Sequence, residues 1–382
     1  MRPNKLLYVD SMRGWAILMV IACHQAQAFH HLTRPIKLFA SYGQTGVFLF
    51  FVASAFTLSN SATMRLEEAH PIRSFFIRRY FRIAPLYYLG IGFYAALAAL
   101  LPQYTAGWLS DISPLSLVTN LAFVHGLVPD AFGGAVPGGW SISTEWMFYV
   151  LFPVLFAVCR KAVSAWGWRV LIVPVLLMSV ISFATVFKMT AGIENETFYF
   201  WYCSLLTQLP VFLLGITLFM AVQSGSLPPN LKWDVPLFVI TSAAALWMLE
   251  ARWMLLLPLS SAASFIFLFN ILRSTSVRYG MVEAIGRVSY SMYVFHAFFA
   301  VMVTRMALHA WSVPAGWEDA AFFTFLGGTI AATYAVARLS EMLIERRFIA
   351  LGQSLIKAQH DLQPATSWCP KAAAPAARSC RD

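Results

Sequence analysis

Runs of about 20 apolar residues recur along this chain, and each is long enough to cross a lipid bilayer as a helix. Hydrocarbon admits only elements that satisfy their own backbone hydrogen bonds, so the repeated run constrains the fold more than any motif does. The implied architecture is an all-α polytopic integral membrane protein of about ten transmembrane helices. The runs fall at 14–30, 43–61, 83–101, 138–158, 170–187, 200–222, 234–250, 253–272, 289–308 and 320–340. A weaker segment, 113–128, reads as a re-entrant or interfacial helix. Charged residues are only 12% of the chain, against about 25% in soluble domains. No stretch is therefore long enough for a second soluble domain. One membrane domain is expected over 1–352. A polar, Ala/Pro-rich segment, 353–382, has no apolar period and reads as a disordered cytoplasmic tail.

The formal net charge of +10 would suit nucleic acid, but its placement argues otherwise. With both termini cytoplasmic, the inside segments hold 22 of the 27 Lys and Arg residues. Only Arg34, Lys37, Lys188, Arg252 and Arg305 fall outside. That asymmetry is the positive-inside rule, so basicity reports topology and lipid contact, and no nucleic-acid partner is expected. The five cysteines show no pairing or metal spacing, so neither a disulfide nor a metal site is expected. Arg2, Lys5 and Arg13 before a short apolar run, with Ala26-Gln27-Ala28 after it, resemble a signal peptide. Cleavage would upset the charge parity of the later loops, so an uncleaved first helix is expected.

That first helix carries the most costly pair in the chain. Arg13 and His24 are eleven helical steps apart, about three turns and about 16 Å, which puts both on one face. Ionisable groups inside a span usually face an interior cavity and mark a pathway or a site. A neutral imidazole can take a proton from a hydroxyl or attack an acyl group itself. The plainer readings are a histidine hydrogen-bonded between helices and an arginine snorkelling to the headgroups. Asp10, three residues before Arg13, can pair with it across one turn.

Four further features stand out. Arg79 and Arg82 lie one turn apart if helical, in a basic loop from Arg73 that also holds Arg78. Guanidiniums grip phosphate bidentately, so they suit an anionic co-substrate; lipid headgroup contact is the alternative. Glu145 is the one acidic residue between Asp130 and Glu194 and lies inside a span, so it needs a partner such as His24 or an arginine. Tyr293 and His296 share a helix face near mid-bilayer, where they can bind a sugar hydroxyl or simply pack. The small and aromatic residues of 46–56 read as helix packing, with Ser54 a minor site candidate.

Taken in order, these segments resemble the type-3 membrane acyltransferase family, which includes sugar and polysaccharide O-acetyltransferases. Asp10-Ser11-Met12-Arg13-Gly14-Trp15-Ala16 followed by His24 resembles the family's Arg-ten residues-His signature. Arg79-Tyr80-Phe81-Arg82 resembles its Arg-x-x-Arg motif. Trp140-Ser141-Ile142-Ser143-Thr144-Glu145 resembles its Trp-Ser-x-Ser-x-Glu segment, and Ser289-Tyr290-Ser291-Met292-Tyr293 with His296 its late Ser-Tyr-Ser segment. Phe48 stands where an acidic residue is frequent, and Ala55 and Ser11 where glycine is frequent.

The resemblance implies an enzyme of the bacterial inner membrane. It would move an acyl group, acetyl in the first instance, from cytoplasmic acetyl-coenzyme A to a hydroxyl of a glycan, exopolysaccharide or glycolipid. Acyl-coenzyme A is then a co-substrate, and no permanently bound cofactor is implied. His24 and Glu145 become the catalytic candidates, and Arg13, Arg79 and Arg82 the donor-binding ones. Asp10, Trp140, Ser141, Ser143, Tyr290, Tyr293 and His296 become acceptor-side or supporting residues. A pantetheine arm is long enough to bridge the basic rim and His24 along one cleft. The chain does not run on into the soluble esterase-like domain of some members. Transfer is thus expected to finish in the membrane or to pass the group to a separate protein. The competing reading is a proton-coupled transporter or flippase of a lipid-linked or small polar substrate, because buried His, Glu and Arg also build relays.

Overall fold

The computed structural model describes residues 6–105, 112–190, 196–274, 280–311, 313–314 and 316–361, and all regular structure among them is helical. Apart from a single turn at Pro102–Thr105 and short 3₁₀ and π segments, the helices are as follows. The first half holds α1 (Leu7–Ala26), α2 (Arg34–Tyr42), α3 (Gly46–Thr63), α4 (Pro71–Leu100), α5 (Pro114–Leu121), α6 (Gly139–Trp166), α7 (Ile172–Thr190) and α8 (Glu196–Cys203). The second half holds α9 (Leu205–Gln223), α10 (Leu231–Glu250), α11 (Leu257–Ser274), α12 (Gly280–Arg287), α13 (Ser289–Ala297), α14 (Thr304–Ala310), α15 (Glu318–Ser340) and α16 (Arg346–Asp361).

Among the described residues, nine helical segments are long and apolar enough to cross a membrane. They match nine of the ten runs read from the sequence. The other run, 14–30, corresponds to α1, which starts and stops earlier, at Leu7 and Ala26. Its polar Asp10, Arg13 and His24 dilute its apolar character, yet half of its 20 residues are buried. α1 is the axial helix, packed against α3, α11, α12, α13 and α15.

Small residues allow that crowding. A Cβ on Gly286 would sit 1.8 Å from the Asp10 carbonyl oxygen, and one on Gly14 would sit 2.2 Å from that of Val282. α1 and α12 therefore touch backbone to backbone, which fixes the height of Asp10 and Arg13 against α12.

Three boundaries differ from the sequence reading. The basic segment 73–82 is not a loop: α4 begins at Pro71, a residue suited to a first helical turn, and carries all of its arginines. α1 ends within the bundle, because Gln25 accepts from Thr329 midway along α15 (2.7 Å) and donates to Thr304 (2.8 Å). Residues 353–361, read as the start of a disordered tail, continue α16, whose Gly352 lies against Phe81 of α4. Residues 362–382 lie outside the described residues. The weak segment 113–128 holds α5 and a 3₁₀ turn, too short to span.

Candidate active site

Three guanidiniums converge on the cavity between α1 and α4. Arg79 and Arg82 are one turn apart on α4, and Arg13 faces them from α1. Together they line a polar vestibule of about 460 Å³ with Asp10, Thr57, Asn60, Arg287 and Glu341. The same three also line a narrower inner chamber of about 80 Å³. The arginines thus form the collar between a wide mouth and a thin bore. Among the described residues, none of the three forms an ion pair. Arg13 donates to Thr57 (3.0 Å). Arg79 lies 5.8 Å from the Phe75 ring centre and 5.9 Å from that of Tyr149, and its buried Nε has no hydrogen-bond partner among the described residues. Arg78 is turned away into a bidentate pair with Glu68. Glu145 and the vestibule carboxylates offset these half-buried cations only in part, so an anion that bonds them directly is favoured.

The bore is lined by Ser54, Ser141, Glu145, Tyr149, Tyr290 and Tyr293 among apolar residues. Glu145 accepts from Tyr149 (2.6 Å) and from Ser54. Ser54, a minor candidate from the sequence, is therefore a direct partner of the carboxylate. The expectation that Glu145 pairs with His24 is not met: its hydrogen bonds go to the two hydroxyls, and its nearest cations are those of the collar. The reason is helix rotation, since α6 turns Glu145 into the bore while His24 meets a different helix.

That helix is α13. The His24 and His296 rings lie edge to face with centres 4.8 Å apart, and His24 Nδ1 is 3.3 Å from His296 Nε2. Hydrogen bonds fix both tautomers. His296 Nδ1 lies 2.6 Å from the Tyr293 carbonyl and His24 Nδ1 lies 3.0 Å from the Val20 carbonyl, so both Nδ1 atoms carry protons. Two N–H groups do not face each other, so His296 Nε2 is the bare acceptor toward His24 Nδ1–H. The remaining nitrogen, His24 Nε2, carries a lone pair and has no hydrogen-bond partner among the described residues. His24 is half-buried, whereas His296 is fully buried.

His24 does not line the bore, so the single cleft expected from the sequence is interrupted. Tyr293 is the link. Its ring faces the bore, lies 5.3 Å from the His296 ring, and packs edge to face on Phe50 at 5.9 Å. Its hydroxyl meets Ser141 (2.7 Å) and donates to the Gly138 carbonyl (3.0 Å). Gly138 sits at φ +76°, and a Cβ there would lie 2.7 Å from the Tyr293 hydroxyl. Only glycine meets both demands at that position.

The remaining candidates divide. Tyr290 lines the bore and donates to the Ile83 carbonyl (2.8 Å), one residue past Arg82. Ser143 lies away from the bore: it donates to Phe123 (2.8 Å) and accepts from Gly126 (3.0 Å), tying down the loop before α6. Trp140 packs edge to face on Phe51 at 6.2 Å, outside the lining. Phe48 is buried against Tyr202, and the close approach at Ala55 is supplied by Gly215 of α9. Sequence reasoning missed Glu345, which is buried and accepts from Ser291 of the late motif. It lies beyond the 320–340 run among Glu341, Arg346 and Arg347, so nothing local set it apart from a charged helix end.

These features define an integral membrane protein with a guanidinium collar and an imidazole pair inside its helix bundle. The chain belongs to the acyltransferase domain family, whose model matches residues 6–338. It is 28% identical over 171 residues to Acyltransferase MdmB of Streptomyces mycarofaciens, covering 42% of this chain and 41% of that protein. It is 28% identical over 164 residues to Peptidoglycan O-acetyltransferase OatA of Listeria monocytogenes, covering 41% of this chain and 25% of that one. It is 26% identical over 195 residues to Protein 2 in picA locus of Rhizobium radiobacter, covering 47% and 92%. The chain thus spans less than half the length of the first two relatives. No solved structure matches it.

Proposed function

We propose that this protein is a membrane O-acyltransferase that moves an acetyl group from cytoplasmic acetyl-coenzyme A to a hydroxyl of a cell-envelope glycan or glycolipid. The observation that carries the reading is the collar: three guanidiniums, none in an ion pair among the described residues, at the neck between a wide vestibule and a thin bore. The vestibule takes the nucleotide phosphates, and the bore takes the pantetheine arm. Phosphate takes charge-assisted bidentate contacts from the collar guanidiniums, beyond the partial balance that Glu145 gives. The collar end is then cytoplasmic and both termini lie inside, as the charge asymmetry of the loops also favours.

At the inner end, His24 Nε2 is the base. It takes the proton of the acceptor hydroxyl as that oxygen attacks the thioester carbon. The carbon–sulfur bond breaks, and His24 passes the proton it took to the sulfur, which leaves as the free thiol of coenzyme A. His296 holds His24 in the required tautomer through its bare Nε2. Tyr293 stands between bore and imidazoles, so the acyl end reaches His24 once that ring turns aside. Glu145, held by Ser54 and Tyr149, positions the arm and balances the collar.

Deletion of the gene followed by mass spectrometry of surface glycans tests the reading. Loss of an acetyl mass from one glycan, restored by the wild-type gene and not by His24→Gln, is the expected result. An unchanged glycan profile would overturn it.

A further inference from the structure

The depth of the bore can be read off the helices that line it. On α3, Thr57 takes the Arg13 hydrogen bond at the collar (3.0 Å), and Ser54, Phe50 and Val47 of the lining follow at one-turn steps. Thr57 to Val47 is then about 15 Å along the helix. α6 runs the opposite way and agrees. Its Tyr149 ring lies 5.9 Å from the Arg79 guanidinium, Glu145 comes one turn further in, and Ser141 and Ile142 stand at the far end. On α13, Tyr290 bonds the Ile83 carbonyl near the collar, and Tyr293 lies one turn deeper.

Polarity changes along this path. Ser54 and Glu145 mark the middle, and the inner end closes on Val47, Phe50, Phe51 and Ile142 beside the Ser141–Tyr293 hydroxyl pair. That end is held from behind. Phe51 is buried against Phe212 of α9, ring centres 4.5 Å apart. Phe50 is half-buried and meets Tyr293 edge to face at 5.9 Å. The α3 backbone has no room to draw back, because a Cβ on Gly46 would lie 2.5 Å from the Ala16 carbonyl oxygen of α1.

We propose that Phe50 and Val47 form a length stop that admits a two-carbon acyl group and rejects longer ones. The proposal rests on the acyl-transfer reading and adds which side chains choose the acyl group. The bore is about as long as the Arg13–His24 interval of about 16 Å. A pantetheine arm with its phosphates on the collar therefore brings the thioester level with Phe50 and Val47. Tyr293 is the movable side of that end, by which the acetyl group reaches His24. Phe50 and Val47 are the fixed side. Each further methylene has to enter volume that the Phe50 ring holds in a close-packed interior.

The test is calorimetric titration of the full chain in phosphatidylcholine nanodiscs with acetyl-coenzyme A and with butyryl-coenzyme A. One methylene too many in a fitted pocket costs about tenfold or more, so the wild type should bind the acetyl donor at least about tenfold tighter. Phe50→Ala should tighten butyryl-coenzyme A about tenfold, a gain that a damaged fold does not produce. Val47→Ala, a smaller change, should tighten it about threefold, and it carries the test if Phe50→Ala does not fold. Equal affinity of the wild type for the two donors would overturn the length stop and leave the acyl-transfer reading standing. Butyryl affinity that neither variant raises would do the same. Binding of neither donor by the wild type would overturn the acyl-transfer reading, and the length stop with it.

Discussion

Arg79→Met should separate function from stability. In the folded protein the Arg79 Nε is buried without a partner, an omission that costs about 1–3 kcal/mol. Two cation–π contacts, to Phe75 and Tyr149, return about 0.5–1 kcal/mol each. These opposing effects nearly cancel, and Met fills a similar volume without a charge. The thermal unfolding midpoint of Arg79→Met should therefore stay within a few degrees of wild type or rise. Donor binding should respond differently. A charge-assisted hydrogen bond to phosphate contributes about 1.5–3 kcal/mol, so affinity for acetyl-coenzyme A should fall about 10–150-fold. Arg79→Lys keeps the charge but loses the planar fork, and should fall between the two. Calorimetric titration of acetyl-coenzyme A into purified protein measures the affinity, and a melting curve measures the fold. Unchanged affinity together with a large drop in midpoint would refute the reasoning, because it would make Arg79 a structural cation.

Two other predictions follow from packing and titration. Gly286→Ala places a methyl 1.8 Å from the Asp10 carbonyl oxygen, so α1 and α12 must part; the cost should be about 1–3 kcal/mol, read as a lowered unfolding midpoint. A midpoint equal to wild type would show that the helices do not meet there. His125 lies outside the spans, and burial holds its ring below the usual imidazole range. The unfolded chain then binds the extra proton first. Stability is complete above the unfolded value of about 6.5 and falls as pH drops below it. His125→Gln, which can still donate to the Gly139 carbonyl, should flatten that decline in melts taken across acidic pH. An identical pH slope in both proteins would remove His125 as its source.

Local features of the site were readable from sequence; contacts between distant helices were not. The Arg13–His24 spacing set both on one face of α1, and the Arg79–Arg82 spacing made a single-turn pair once α4 proved helical through that stretch. Helical periodicity carries this information because it repeats within one element. The His24–His296 contact joins residues 272 apart in the chain, and nothing local encodes the rotation of α13 that creates it. The same limit explains Glu145. Its need for a partner was legible, but which helix supplied that partner was not, and Ser54 and Tyr149 took the place given to His24. The boundaries of α1 and α4 were misread because charge was taken to exclude a helix from the bundle. Arg13, Arg79 and Arg82 instead face an internal polar vestibule, where a helix can carry them. The end of α1 at Ala26 depends on Gln25 finding Thr304 and Thr329, two hydroxyls from far along the chain.

Coenzyme A release from acetyl-coenzyme A, measured on purified wild type, His24→Gln and His296→Asn, bears most directly on the role given to the unbonded His24 Nε2. Loss of a general base typically costs a factor of about 10²–10⁴, so His24→Gln should be nearly inactive at an unchanged melting temperature. His296→Asn should retain a measurable fraction, because it removes the positioning contact and leaves the lone pair. A His24→Gln protein that still releases coenzyme A at the wild-type rate would contradict the assignment.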